Sequence, residues 1–176
     1  MMQGPIPIRR QVFLLGFMGC GKTTVGKLLS QRLGWSFLDV DEEIERRQGR
    51  TIKQIFEQQG EPFFRQVETD LLEEVLARSR AESMVVALGG GTFAQPANAQ
   101  RIRDHGGVTF WLDCPVDELR RRCRGLNHRP LFRDPESFEQ LYRARLPFYQ
   151  QADFRVDANR SRPEDVVEEI LQCGVF

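Results

Sequence analysis

The sequence predicts an α/β fold in which helices cover a five-stranded parallel sheet. Five short apolar runs alternate along the chain with amphipathic segments of helical length, and this alternation is typical of parallel sheets with helical crossovers. A chain of 176 residues with 40% hydrophobic content is the size of one globular domain, which buries roughly 70% of its extended surface. Because no linker-like stretch divides the chain, we expect residues 1–176 to form a single domain.

The strands are expected at the five apolar runs. These runs are QVFLL (11–15), WSFL (35–38), MVVAL (84–88), VTFWL (108–112) and FRV (154–156). The amphipathic segment after the first run continues to about Leu33 and is interpreted as the first helix.

A helical insert is expected between the second and third strands. Thr51 and Gln54 have the spacing of a capping box, Gly60 is a stop signal, and Pro62 suits the first turn of a further helix. We interpret about residues 41–80 as a substrate-binding region.

The charge and the apolar content exclude some classes of partner. The 25 basic and 25 acidic side chains cancel to a formal charge of +0, which gives no global attraction to nucleic acid or anionic membranes. The longest apolar runs are far shorter than the roughly 18 residues that a membrane span needs. We therefore expect neither nucleic acid nor a membrane as partner, and a monomer.

The cysteines favour a reducing, cytoplasmic setting. Cys20, Cys114, Cys123 and Cys173 have neither the close spacing of metal ligands nor the density of a disulfide-stapled domain. Cys20 lies within a glycine-rich segment, where it is either an inert filler or an oxidisable thiol. The stretch MMQGPIPIRR before the first strand is expected to be a poorly ordered leader.

An arginine-rich segment precedes the last strand. RRRCRGLNHRPLFR (120–133) holds six arginines and no acid. It reads as a mobile loop that is either a solvated face, a nonspecific nucleic-acid patch or a phosphate-facing lid. Because it lacks the aromatic interleaving that base stacking needs, we favour a lid at about residues 122–136.

A phosphate-binding loop is predicted directly after the first strand. Gly16, Gly21, Lys22 and Thr23 match the P-loop pattern, with a strand before it and a helix after it. Glycines allow backbone N–H groups to curl around phosphates, and the helix start adds a positive dipole end. Lys22 would neutralise the β- and γ-phosphates, and the Thr23 hydroxyl would bind Mg²⁺. The alternative is a glycine-rich turn that binds no nucleotide.

Two acidic residues follow the second strand on the same edge of the sheet. Asp39 and Asp41 would lie on one side if the strand persists. One could hold Mg²⁺ through water and the other could orient or deprotonate an acceptor hydroxyl. The alternative is an acidic helix start. The chain contains no Asn-Lys-x-Asp element of the signalling GTPases, so a small-molecule kinase is favoured.

Further motifs follow in a fixed order behind GFMGCGKT (16–23) and DVD (39–41). They are FFRQVE (63–68), LGGGTF (88–93), RPL (129–131) and RLPFYQQAD (145–153). In this order they resemble the shikimate kinase family, from about Val12 to Pro163. The resemblance implies a three-layer P-loop kinase fold like that of nucleoside monophosphate kinases, with a lid. It also implies transfer of the γ-phosphate of ATP to shikimate in aromatic amino-acid biosynthesis.

The same resemblance implies a role for individual residues. Shikimate would be held by Asp41, Phe56, Phe64, Arg65, Gly90, Gly91 and Arg145. ATP would be held by Gly16, Gly19, Cys20, Gly21, Lys22, Thr23, Thr24, Arg122, Arg129 and Pro163. Catalysis would rest on Lys22, Asp41 and Arg129, and Mg²⁺ on Thr23 and, through water, Asp39.

Several alternatives stay open at this point. Arg65 could form a surface ion pair with Glu68 or Glu61 instead of binding a carboxylate, and residues 89–91 could be a plain turn. The register of Arg122 within three consecutive arginines is open. The tryptophans, Tyr149 and the two histidines, His105 and His128, are assigned no chemistry. A gluconate kinase or a non-catalytic nucleotide-binding regulator would share the P-loop.

Overall fold

The computed structural model describes residues 11–78, 81–124, 134–160 and 162–176. The expected leader, Arg129, His128 and the central part of the expected lid lie outside these residues.

Five parallel strands form one sheet, as the apolar runs predicted. The strands are β1 (Gln11–Leu15), β2 (Ser36–Asp39), β3 (Met84–Ala87), β4 (Val108–Asp113) and β5 (Phe154–Asp157). Their order across the sheet is β2-β3-β1-β4-β5. The central strand β1 is buried along its whole length, as expected of a strand covered on both faces.

Seven helices are described, and they alternate with the strands in the way that the sequence predicted. They are α1 (Lys22–Leu33), α2 (Val40–Gln48), α3 (Ile52–Ala77), α4 (Pro96–Asp104), α5 (Val116–Cys123), α6 (Pro135–Tyr149) and α7 (Pro163–Gln172). Helix α1 packs against α7 and β3, α2 against α3, and α5 against α6. Sheet and helices form the three-layer α/β architecture that the resemblance implied. None of the described helices is long and apolar enough to cross a membrane.

The loop between β1 and α1 has a backbone that favours glycine. Gly16, Gly19 and Gly21 have φ values of 146°, 83° and 97°, a region where a Cβ atom is strained. Gly21 is the N-cap of α1, and no side chain caps this terminus. The first N–H groups of α1 are therefore left for another acceptor.

Strand β2 ends at Asp39, so of the two alternatives the structure supports the acidic helix start and not a strand that persists to Asp41. Asp39 Oδ1 accepts hydrogen bonds from the N–H groups of Asp41 (3.0 Å) and Glu42 (3.2 Å). Asp39 is thus the N-cap of α2, a position that aspartate favours. Asp41 lies in the first turn of that helix, so the two carboxylates do not share a strand face.

Helix α3 carries the predicted signals. Thr51 and Gln54 form both hydrogen bonds of the capping box. Gly60 has φ 82° and ψ 170° and breaks the helical path just before Pro62. Two helical pieces therefore meet at a kink, which places the second piece beside the sheet edge that carries the P-loop.

The arginine-rich segment begins as a helix, contrary to the expectation of a loop from residue 120 onwards. Helix α5 continues to Cys123 because acids one turn upstream support the arginines. Glu118 forms ion pairs with Arg121 and Arg122 at 2.7 Å each. Residues 120–133 contain no acid, but their acidic partners lie just before residue 120. The sequence interpretation therefore overlooked them.

Helix α1 touches the sheet at Gly26. A Cβ atom built there would lie 2.4 Å from Phe37 Cε2. We expect Gly26→Ala to lower the free energy of unfolding by about 1–2 kcal/mol, because overpacking outweighs the gain in helix propensity. Urea denaturation measures this change. The double variant Gly26→Ala/Phe37→Leu should recover part of the loss, and a single variant as stable as the parent would contradict the contact.

Candidate active site

Two adjoining cavities open where the strands end. Their volumes are about 520 Å³ and about 460 Å³. Gly19, Gly21, Thr24 and Arg122 line both cavities, so the two meet at the P-loop. Open α/β sheets gather their ligands at this edge.

Most of the sequence-predicted site residues line these cavities. The larger cavity brings together Gly19, Gly21, Lys22, Thr23, Thr24, Asp39, Asp41, Phe56, Phe64, Arg65, Gly90, Gly91, Arg122 and Arg145. The smaller cavity adds Cys20 and Pro163. Gly16 is not among the lining residues of either cavity, and Arg129 lies outside the described residues.

The P-loop holds its lysine through backbone carbonyl groups. Lys22 Nζ donates to Gly16 O at 2.8 Å and to Phe17 O at 3.2 Å. The charge therefore lies at the mouth of the loop, next to the uncapped start of α1. Backbone N–H groups, a helix dipole and an ammonium group converge here, which is an arrangement that binds phosphate.

Thr23 and Asp39 are hydrogen-bonded to each other at the wall of the larger cavity. The Thr23 hydroxyl donates to Asp39 Oδ2 at 2.6 Å, while the other carboxylate oxygen caps α2. One aspartate therefore serves both the helix start and the cavity wall. Among the described residues, no cluster of three or more His, Cys, Asp or Glu side chains could hold a metal ion. A hydroxyl and one carboxylate fit Mg²⁺, which prefers oxygen ligands and takes most of them from water and phosphate.

The turn after β3 is crowded by charged side chains, which explains its three glycines. A Cβ atom at Gly89 would lie 2.6 Å from Glu68 Oε1, and one at Gly90 would lie 2.9 Å from Arg145 Nη1. A Cβ atom at Gly91 would lie 2.6 Å from Arg65 Nη1. Two guanidinium groups thus flank adjacent glycines. A plain turn would not require glycine at these positions, because none of the three has the positive φ that favours it.

Glu68 is a fully buried carboxylate at the centre of this arrangement. Its side chain is 0% exposed and accepts hydrogen bonds from Thr92 Oγ1 (2.5 Å), Gln95 Nε2 (2.9 Å) and Arg65 Nη1 (2.9 Å). A buried charge is tolerated when it is hydrogen-bonded and paired. Glu68 therefore joins helix α3 to the glycine turn.

Arg65 makes the ion pairs that the sequence left open as an alternative. It contacts Glu68 at 2.9 Å and Glu61 at 3.0 Å. It nevertheless lines the larger cavity, with its guanidinium group 5.2 Å from the centre of the Phe64 ring. The ion pairs hold the guanidinium group in place and leave it at the wall of the cavity.

Unlike Arg65, Arg145 forms no ion pair with a carboxylate in the described part of the chain. Its exposed fraction is 7%, and its guanidinium carbon lies 5.7 Å from the centre of the Phe17 ring. The acidic side chains of the described chain pair with Arg65 on α3 but form no ion pair with Arg145. A buried cation without a counter-charge is unfavourable. Arg145 is therefore ready to receive an anionic group in the larger cavity.

Two aromatic rings form the apolar wall of this cavity. The Phe56 and Phe64 ring centres are 4.9 Å apart with a 45° tilt. Helix α3 carries Phe56 before the kink at Gly60 and Phe64 after it. A ligand with one apolar ring face and one carboxylate would match rings on one wall and guanidinium groups on another.

Arg122 links three segments beside the smaller cavity, which Arg121 also lines. Its Nε donates to Glu118 at 2.7 Å, and its Nη atoms lie 3.4 Å from Gly19 O and 3.3 Å from Ala158 O. Hydrogen bonds from Arg121 and Arg122 hold the pKa of Glu118 at about 2. Arg122 rather than Arg120 reaches the P-loop.

The structure adds residues that the sequence interpretation missed. Glu68 was considered only as an ion-pair partner, although its spacing from Arg65 places both on one face of α3. Tyr149 was assigned no chemistry, yet its hydroxyl donates to Gly90 O at 2.5 Å. Burial raises the pKa of the Tyr149 phenol well above its usual value. The signal that could have found Tyr149 is its position four residues after Arg145, on the same face of α6.

Known proteins resemble this chain along almost its whole length. The model of the shikimate kinase family matches residues 18–174. A shikimate kinase from Persephonella marina is 40% identical over 163 residues, covering 92% of this chain and 97% of that protein. Another, from Synechococcus elongatus, is 42% identical over 165 residues and covers 92% of this chain and 84% of its own length.

Solved structures give the same result. A shikimate kinase from Acinetobacter baumannii in complex with shikimate has a TM-score of 0.87 and 36% identity, covering 94% of this chain and 92% of that one. The enzyme from Aquifex aeolicus has a TM-score of 0.81 and 37% identity, covering 92% and 94%. A gluconokinase from Sinorhizobium meliloti has a TM-score of 0.61 at 16% identity, with 94% and 91% covered, which is a likeness of fold alone.

The buried carboxylate predicts a loss of stability on conservative substitution. Glu68→Gln replaces one accepting oxygen by an NH₂ group, so a buried donor from Thr92, Gln95 or Arg65 is left unsatisfied. We expect the free energy of unfolding to fall by about 1–3 kcal/mol. Urea denaturation of Glu61→Gln provides the control, since Glu61 pairs with the same arginine but is exposed. Equal losses in the two variants would contradict the assignment.

Proposed function

The chain belongs to the shikimate kinase family, and we propose how its own residues carry out the reaction of that family. It is an ATP-dependent kinase that transfers a phosphoryl group to an alcohol. The γ-phosphate of ATP goes to the 3-hydroxyl of shikimate, which gives shikimate 3-phosphate and ADP in aromatic amino-acid biosynthesis. The Acinetobacter relative, solved in complex with shikimate, supports the choice of acceptor.

The buried guanidinium group of Arg145, which forms no ion pair among the described residues, carries the assignment of the larger cavity to shikimate. A planar carboxylate accepts two parallel hydrogen bonds from an arginine, and Arg145 and Arg65 flank adjacent glycines from two different helices. The shikimate carboxylate would lie between them, against the N–H groups of Gly90 and Gly91. Phe56 and Phe64 would cover the face of the shikimate ring.

The P-loop and the smaller cavity are assigned to ATP. Backbone N–H groups at the start of α1 would hold the phosphates, and Lys22 would leave its carbonyl partners to neutralise the β- and γ-phosphates. Gly16, Gly19 and Gly21 allow the loop to curl around them. The adenosine part would lie in the smaller cavity with Cys20, Arg122 and Pro163, because that cavity joins the larger one at the P-loop.

Mg²⁺ is the proposed metal, held by Thr23 and, through water, Asp39. Their hydroxyl and carboxylate oxygens are 2.6 Å apart, and both suit a hard cation. When bound, Mg²⁺ offsets the negative charge of the β- and γ-phosphates. The carboxylate oxygen that caps α2 fixes the orientation of Asp39.

Asp41 and Arg129 complete the proposed machinery. Asp41 lies in the first turn of α2 at the wall of the larger cavity, where it could orient the acceptor hydroxyl and accept its proton. Phosphoryl transfer is loose and needs little base assistance, so this contribution is modest. Arg129, from the proposed lid at about residues 122–136, would meet the charge of the transferring phosphoryl group.

We also propose the domain organisation, the oligomeric state and the classes of partner. Residues 1–176 would form one kinase domain, with a substrate-binding region at about 41–80, acting as a monomer without nucleic-acid or membrane partners. The four free cysteines suit a reducing compartment such as the cytoplasm. A gluconate kinase is not favoured, since the likeness to a gluconokinase is one of fold alone.

We expect Mg²⁺-dependent release of ADP only when shikimate is present. Lys22→Ala should abolish this release without unfolding the protein, because the transferring phosphate loses its fixed cation. A coupled ADP assay with shikimate, gluconate and no acceptor measures it, and removing Mg²⁺ with EDTA should stop turnover. ADP release that is equal with and without shikimate would contradict the proposed acceptor.

Arg145→Met should separate acceptor binding from stability. Loss of a charge-assisted contact should weaken shikimate binding about 10- to 150-fold while ATP binding stays unchanged. The free energy of unfolding without ligands should not fall, because a buried unpaired charge is removed. Calorimetric titration measures both affinities.

Arg143→Met is the matched control for this substitution. Arg143 lies on the same helix, is 75% exposed and pairs with Glu139. It should therefore leave both affinities unchanged. An Arg145→Met protein that loses ATP and shikimate affinity equally would refute the assignment of Arg145 to the acceptor.

A further inference from the structure

Tyr149 ends helix α6 with its hydroxyl group against the glycine turn. We propose that Tyr149 is a positioning residue for the acceptor: it holds the Gly90–Gly91 peptide so that the Gly91 N–H faces the shikimate carboxylate. The inference rests on the proposed function, because it concerns the same cavity. Tyr149 itself is not among the residues that line that cavity, so it acts through the peptide and does not touch the substrate.

The hydrogen bond is short, and its donor is a buried side chain. Tyr149 Oη donates to Gly90 O at 2.5 Å across 59 residues of sequence. The tyrosine is 1% exposed, and the Trp111 ring centre lies 6.4 Å from its own. Packing fixes the ring, and the phenol oxygen faces the Arg145 guanidinium group as well as Gly90 O.

The planarity of the peptide turns this bond into an orientation of the next N–H group. The peptide between Gly90 and Gly91 is trans, so the Gly90 C=O and the Gly91 N–H point in opposite directions. With the oxygen directed at Tyr149, the N–H is directed away from it. No acceptor in the described part of the chain takes the N–H of Gly90 or Gly91. The donor is therefore left for a ligand.

Three consecutive glycines would not hold that orientation by themselves. Glycine has the greatest backbone freedom of any residue, and a mobile donor binds a carboxylate weakly because ordering it costs entropy. Glu68 fixes the far side of the turn through Thr92, and Tyr149 fixes the near side. An accepted hydrogen bond on the carbonyl also polarises the N–H of the same peptide.

Helix α6 thereby sets two elements of the acceptor site at once. Arg145 and Tyr149 are four residues apart and share one helix face. A Cβ atom at Gly90 would lie 2.9 Å from Arg145 Nη1 and 3.9 Å from Tyr149 Oη. The guanidinium group and the peptide donor are thus positioned from the same rigid segment.

Tyr149→Phe tests the proposal because it removes the hydroxyl, and with it the bond to Gly90 O and the contact with the Arg145 guanidinium group, while it keeps the ring. We expect the KM for shikimate to rise about 10-fold, with kcat reduced less and the KM for ATP unchanged. Tyr142→Phe is the matched control: it makes the same change on the same helix, at a partly buried ring that packs on Phe17. A Tyr149→Phe enzyme with unchanged shikimate KM, or with ATP and shikimate affected equally, would overturn the proposal.

A second measurement does not depend on the folding of that variant. The chain has two tyrosines, so a Tyr142→Phe protein labelled with 3-fluorotyrosine carries its only fluorine at residue 149. The ¹⁹F resonance should shift on adding shikimate and should not shift on adding ADP alone; a resonance insensitive to shikimate would refute the coupling. Shikimate-dependent turnover by the unsubstituted protein is measured first, so that failure of the proposed function is seen separately from failure of this inference.

Discussion

The buried carboxylate of Glu68 is the constraint on which the rest of the acceptor cavity depends. It receives three hydrogen bonds from two segments that are distant in sequence, helix α3 and the turn after β3. Removing a partner from such a group leaves a buried charge or donor unsatisfied, which is costly. The turn must therefore stay close to α3, and residue 89 must be glycine because a Cβ atom would lie 2.6 Å from the carboxylate.

The two arginines of the acceptor cavity differ in their ion pairing, and Glu68 causes this difference. Arg65 is held by acidic partners, whereas Arg145 is buried and forms no ion pair with any described residue. A site with both charges neutralised inside the protein would bind an anion weakly, and a site with neither neutralised would fold at a large desolvation cost. One paired and one unpaired guanidinium group combine a stable wall with a strong attraction for a carboxylate.

Much of the fold could be predicted because each strand is a short apolar run and each helix carries local signals. The capping box at Thr51 and the break at Gly60 depend on neighbouring residues alone, so they appeared as expected. One expectation was wrong because residues outside the segment decided the outcome. Glu118 pairs with Arg121 and Arg122 and supports a helix where a loop was expected, whereas Asp39 caps α2, which is the acidic helix start that the sequence left open. In the site, most of the predicted P-loop residues and the two flanking guanidinium groups line the larger cavity.

The sequence by itself determined the P-loop, the order of the motifs along the chain and the resemblance to the shikimate kinase family. These follow from residue types at fixed spacing. Only the tertiary structure decided which charges are paired and which groups face the cavity. The sequence does not distinguish the paired Arg65 from Arg145, and it does not distinguish Tyr149 from any other aromatic residue of the core. Their roles differ because partners from α3, α6 and the turn after β3 meet only when the chain folds, and burial then sets the energy of each contact.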